Sequence, residues 1–84
     1  MTGQKKIKKI VKLTFPQDLI KKPVTFQMAK KYDIIPNIRR AKVTESIGEI
    51  ILELSAEKSA IEKGIRYLEK QGVKIEPIEG DVIE

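Results

Sequence analysis

The 84-residue chain has no cysteine and no histidine. The first absence removes disulfides, thiolate metal ligands and thiol nucleophiles. The second removes imidazole catalysis and histidine-based zinc sites. Aromatic residues are scarce: Phe15, Phe26, Tyr32 and Tyr67 are all there are. The five glycines are isolated, so no glycine-rich phosphate cradle is present, and neither H-E-x-x-H nor G-x-S-x-G occurs. Long apolar runs are missing too. Behind Lys5, Lys6, Lys8 and Lys9, the stretch from Ile10 to Phe15 is broken by Lys12, short of a signal peptide and far short of a membrane span. These absences point to a soluble, cytoplasmic, non-enzymatic domain without a cofactor or a metal and without membrane insertion.

What is abundant is aliphatic. Ile, Val and Leu number 14, 5 and 5, enough for a small packed core and too many for a disordered chain. One domain is expected over 1–84, with its core at about 8–78, a frayed basic start over residues 1–6 and an acidic tail. A chain of this size buries only about 60–65% of its unfolded surface, so a second copy of itself is an expected source of stability.

Charge is unevenly spread. Residues 1–42 carry 12 Lys or Arg against Asp18 and Asp33, a balance of +10; residues 43–84 carry 5 basic and 10 acidic residues, a balance of −5. Three readings follow: a face for an anion, nucleic acid or membrane; complementary charge between copies; or plain solvation of a Lys/Glu-rich surface.

Periodicity orders the elements. Lys8 to Phe15 alternates strictly, placing Val11, Leu13 and Phe15 on one side of a strand that Pro16 ends. Leu19 and Ile20 are expected over the core. A helix runs from about Pro23 to Tyr32, closed by Lys30 and Lys31 at its negative pole. Since proline cannot join an interior ladder, the second strand is expected to start after Pro36. It spans Asn37–Glu45, with Ile38 on one face and Ala41 and Val43 on the other. A tight reversal at Ser46, Ile47 and Gly48 leads to a third strand, Glu49–Leu54, with Ile50, Leu52 and Leu54 on one face. Ser55 is the expected N-cap of a second helix bearing Ala60, Ile61, Gly64, Ile65 and Leu68 on its apolar stripe. Gly64 implies close packing of this helix on the sheet, and Gly72 is its C-terminal cap. Val73–Glu76 is the fourth strand.

The resulting fold class is α+β, a ferredoxin-like split βαβ arrangement of strand, helix, strand, strand, helix, strand. Its four-stranded antiparallel sheet carries both helices on one face. An acylphosphatase-type site on this fold needs an arginine near the end of the first strand, where Phe15-Pro16-Gln17-Asp18 stands instead. RNA recognition through the open face needs aromatics on the central strands, so nucleic acid is an unfavoured partner, although Arg39, Arg40, Lys42, Lys8 and Lys12 offer phosphate contacts.

The stretch Lys22-Pro-Val-Thr-Phe-Gln-Met-Ala-Lys-Lys-Tyr-Asp-Ile-Ile-Pro-Asn-Ile-Arg-Arg, with Ile47-Gly-Glu-Ile-Ile-Leu-Glu-Leu and Tyr67-Leu-Glu-Lys-Gln-Gly-Val after it, resembles the NIL domain. Leu13, Phe15, Pro23, Asn37, Ile38, Gly48, Tyr67, Leu68, Gly72 and Val73 stand at its pattern positions, over about residues 8–78. NIL domains are similar to ACT domains, small-molecule sensors. They occur on the ATPase subunits of methionine ABC importers, where they bind methionine across a domain interface and inhibit transport, and beside iron–sulfur ferredoxin domains. The resemblance implies a regulatory homodimer in sulfur metabolism that binds methionine or a related amino acid. It also implies a stand-alone chain that reaches a transporter ATPase or a sulfur-metabolism enzyme as a separate partner. The implied ligand-binding residues are Met28, Pro36, Asn37, Ile38 and Arg39. Backbone freed at Ile35–Pro36 receives the ligand's charged ends, Met28 or Ile38 contacts its side chain, and Arg39 stands where the pattern has Leu. A ligand-free adaptor and a nucleic-acid binder are the alternatives.

Overall fold

The computed structural model describes residues 6–78. Of the segment 1–6 expected to fray, residues 1–5 lie outside the described residues, as does the acidic tail beyond Ile78. Lys6, expected in the frayed segment, is already in a strand.

Strand β1 (Lys6–Phe15) passes through a 3-10 turn (Gln17–Leu19) to helix α1 (Val24–Tyr32). Strands β2 (Ile35–Val43) and β3 (Gly48–Glu57) form a hairpin, followed by helix α2 (Lys58–Gln71) and strand β4 (Lys74–Pro77). The sheet order is β2-β3-β1-β4, with every neighbouring pair antiparallel. This is the expected split βαβ, ferredoxin-like architecture.

The alternation of β1 sets the layers. Val11, Leu13 and Phe15 face the helices with Leu52, Leu54 and Ala56 of β3. Val24 and Met28 of α1, Ile61 and Leu68 of α2, and Leu19, Ile34 and Val73 from the connections close the core. No polar side chain is buried among the described residues, so burial here stabilises without desolvating charge. Both helices end the same way. Gly72 (φ 106°) follows α2, and Val73 donates to the Leu68 carbonyl at 3.0 Å; Asp33 (φ 57°) follows α1, and Ile34 donates to the Ala29 carbonyl at 2.9 Å. Each is a left-handed cap that turns an apolar residue back into the core.

Four local expectations change. Pro36 lies inside β2, because β2 is an edge strand and tolerates a missing donor. Ser55 is not a cap: β3 runs on to Glu57, paired with the extended start of β1, and Glu57 occupies the N-cap position. The hairpin reversal uses Thr44, whose hydroxyl accepts from the amides of Ser46 (3.3 Å) and Ile47 (3.1 Å), while Gly48 already pairs with Val43 and Phe15.

The fourth change reshapes a surface. The β2–β3 register shifts between Ile38 and Arg40, so Arg39 is an extra residue in a β-bulge. Pro36, Ile38, Ala41 and Val43 therefore all pair with helix-side residues of β3, namely Leu54, Leu52, Ile50 and Gly48. Ile38 shares a face with Ala41 and Val43 rather than opposing them.

Candidate functional site: an apolar groove beside an edge strand

The two helices cover β1 and β3 and leave β2 bare, with all nine of its residues exposed. The bulge nevertheless keeps Pro36, Ile38, Ala41 and Val43 on the helix side, while Ile35 stands on the open face. Ile38 is 62% exposed, Val43 58%, and Phe26, across from them on α1, 66%. Between α1 and β2 lies a groove of about 500 Å3, lined by Phe26, Ala29, Ile34, Pro36 and Ile38 with Lys30 at its rim. Beyond Phe26 a second recess of about 200 Å3 continues along β2 past Ile20, Pro23 and Val43. Lys30 Nζ stands 6.0 Å from the Phe26 ring centroid, so one cation is held beside the apolar wall.

The five residues implied by the resemblance divide. Pro36 and Ile38 line the groove. Met28 is fully buried, with its sulfur under α2 at Gly64. Asn37 pairs in register with Glu53, on the sheet face away from the helices. Arg39 Nη1 lies 3.5 Å from Glu53 Oε2 on that same face, so the bulge carries its charge away from the groove. Sequence reasoning does not single out Phe26, Ala29 or Lys30 as binding residues. The available signal is Phe26, a large aromatic outside the buried stripe of its own helix.

The open face of the sheet is of another kind. Ile10 and Ile51 are half-buried there among charges of both signs. Lys12 Nζ lies 3.8 Å from Glu49 Oε2 and opposes Glu76 in register; Lys42 opposes Glu49. A cleft of about 410 Å3 lined by Lys12, Arg40, Lys42, Glu49 and Ile51 opens on this side. Interleaved carboxylates offset its attraction for phosphate. Among the described residues no group of His, Cys, Asp or Glu is arranged to hold a metal ion, and no helix is long and apolar enough to cross a membrane. The groove offers shape and apolar contact, and among the described residues no cluster of metal-ligating side chains accompanies it.

Comparison with known proteins bears on the fold and the family. The chain is 30% identical over 76 residues to the methionine import ATP-binding protein MetN of Halalkalibacterium halodurans, covering 86% of this chain and 22% of that protein. It is 27% identical over 75 residues to MetN 1 of Listeria innocua, covering 84% and 22%. It thus spans about a fifth of the length of the curated relatives it matches. Among solved structures, the C-terminal domain of an ABC transporter ATP-binding protein from Enterococcus faecalis superposes with a TM-score of 0.74 at 25% identity, covering 87% of this chain and 86% of that one. The designed protein Foldit4, at 9% identity and a TM-score of 0.60, shares the fold alone. The family model for the NIL domain matches residues 9–77, and the chain belongs to the NIL domain family.

Proposed function

We propose that this domain is an amino-acid-responsive regulatory module that works as a homodimer in the cytoplasm. In this reading it holds methionine, or an amino acid with a similar apolar side chain, in the α1–β2 groove and acts on a transporter ATPase or a sulfur-metabolism enzyme. The observation that carries it is the groove itself, apolar on both walls and bordered by an unpaired strand edge. Its volume is in the range of small-molecule sites, but it is open, and such ligands bind with most of their surface buried. A second copy placed along β2 would supply the missing wall and pair the free edge at once. Lys30 at the rim suits a carboxylate, the edge amides and carbonyls of β2 suit the ligand's charged ends, and Phe26 and Ile38 suit a thioether. Relatives named as methionine import ATP-binding proteins support this ligand class. The mechanism is differential affinity: a ligand bridging two copies favours one arrangement of the pair, and that arrangement engages or releases the partner.

The test is thermal unfolding at fixed protomer concentration with L-methionine and a panel of sulfur-containing and branched amino acids. A native-state ligand at about 100 times its Kd adds about 2.7 kcal/mol. One compound is expected to raise Tm, and Ile38→Asp is expected to abolish the rise while the protein remains folded. A flat response to the whole panel sinks the sensor reading and leaves a ligand-free adaptor.

A further inference from the structure

The outer surface of the helix layer carries a feature that the groove does not use. On α2, Lys63, Arg66 and Lys70 recur at three and four residues and form one stripe, with Tyr67 beside them. From α1, Lys31 and Tyr32 complete a recess of about 280 Å3 lined by these six residues. Four of the six are cations, and none is a carboxylate. Among the described residues the ion pairs are Lys12–Glu49 and Arg39–Glu53, both on the open sheet face. The cations of the recess have no carboxylate of the described residues within 4.0 Å.

Lys31 is also held in place. The Tyr32 and Tyr67 rings meet edge to face, with centroids 6.0 Å apart and planes at 67°. Lys31 Nζ stands 5.7 Å from one centroid and 5.4 Å from the other. Two ring quadrupoles thus fix an ammonium beside three like charges that repel it, a pre-organised point for an anion. We infer that this recess is a binding site for a compact polyphosphate anion, read by charge and not by any base attached to it.

Two observations select that ligand over a nucleic-acid strand. The ammonium of Lys31 sits over the tyrosine rings, where a base would stack. The stripe from Lys63 to Lys70 extends over only about 10 Å of helix axis, the reach of a few linked phosphates. A single-strand track of several nucleotides is longer. The site is separate from the α1–β2 groove, so this inference stands or falls independently of the amino-acid reading.

The experiment is an amide NMR titration of the 84-residue chain at low ionic strength with sodium tripolyphosphate, ATP, ADP and AMP, and with a thymidine oligonucleotide as comparison. Saturable shifts are expected at Lys31, Lys63, Arg66, Tyr67 and Lys70, with affinity falling from tripolyphosphate and ATP through ADP to AMP. Equal affinity for tripolyphosphate and ATP is expected of a site read by charge; clearly tighter ATP binding would mean that the nucleoside is read and would overturn that reading. Lys63→Gln combined with Arg66→Gln is expected to weaken binding about tenfold or more. Lys12→Gln with Lys42→Gln, on the other side of the sheet, is expected to leave it unchanged. Tyr67→Leu is expected to weaken it by releasing Lys31, and Tyr67→Phe to preserve it. Absence of saturable shifts overturns the inference, as does equal weakening by the open-face pair, which means diffuse attraction. Tighter binding of the oligonucleotide than of tripolyphosphate also overturns it, in favour of a nucleic-acid surface.

Discussion

At Gly64 the helix layer leaves room for a hydrogen and little more. A Cβ built there would lie 2.6 Å from Ile34 Cδ1 and 2.7 Å from Met28 Sδ. The constraint therefore comes from α1 and the segment after it, and not from the sheet that the sequence alone suggested. Alanine gains about 1 kcal/mol of helix propensity, but an added methyl in a filled core costs about 1–3 kcal/mol. Both neighbouring side chains are buried, so their tips have little space to move into. Gly64→Ala is expected to lower stability by about 1 kcal/mol net, read as a lower urea midpoint at unchanged m. Ile34→Val removes the nearest atom, and in that background the cost of Gly64→Ala is expected to shrink. Additive costs in the double variant would show that the contact is not what excludes the methyl.

At the scale of elements, β2 is where the sequence was hardest to read. Its helix-side residues fall at Pro36, Ile38, Ala41 and Val43, spaced by two, three and two, with Ile35 on the other face, whereas a regular strand repeats every two. The spacing of three marks the bulge at Arg39, and ignoring it puts Ile38 on the wrong face. β1, α2 and the buried face of β3 were legible because each repeats its own period without interruption. Ser55 misled because a good capping residue also fits a strand, and pairing with β1 decided between them. Of the candidate groove's lining, the sequence pointed only to Pro36 and Ile38; the α1 wall depends on how far the helix sits from β2, which no local pattern encodes. The edge position has a measurable consequence. On an unpaired edge, alternate N–H groups point outward, so half of the β2 amides are expected to exchange early while β1 and central β3 amides persist. If a second copy pairs along β2, those early amides become protected as protein concentration rises. Exchange at β2 that ignores concentration while the protein is dimeric, by sedimentation, would place the dimer contact elsewhere.

Across the whole molecule, charge is sorted by face. The open sheet face alternates signs, with Lys12 beside Glu49 and Arg39 beside Glu53, while the helix-layer recess gathers Lys31, Lys63, Arg66 and Lys70 without a counter-charge among its lining residues. The formal net charge is +5. Salt acts on both features in opposite directions. Exposed pairs such as these two contribute about 0–1 kcal/mol and lose part of that on screening. Like charges three and four residues apart on a helix cost about 0.2–0.5 kcal/mol each and recover it. The like-charge contacts Lys63–Arg66 and Arg66–Lys70 together cost about 0.4–1 kcal/mol; with Lys31 facing them and a net charge of +5, relief of repulsion is expected to outweigh the weakening of the two pairs and of Glu62 against Arg66, four residues on. Raising NaCl from about 0.05 to 0.5 M, which shortens the screening length severalfold, is expected to raise Tm by about 2–5 °C, given about 4–8 °C per kcal/mol for a domain of this size. Lys63→Gln with Lys70→Gln is expected to raise Tm at low salt and flatten the dependence. A Tm that falls with salt would mean that the open-face pairs dominate and that the recess stores no repulsion. The same screening weakens any polyphosphate bound there, so stability and anion affinity should move in opposite directions along one salt series.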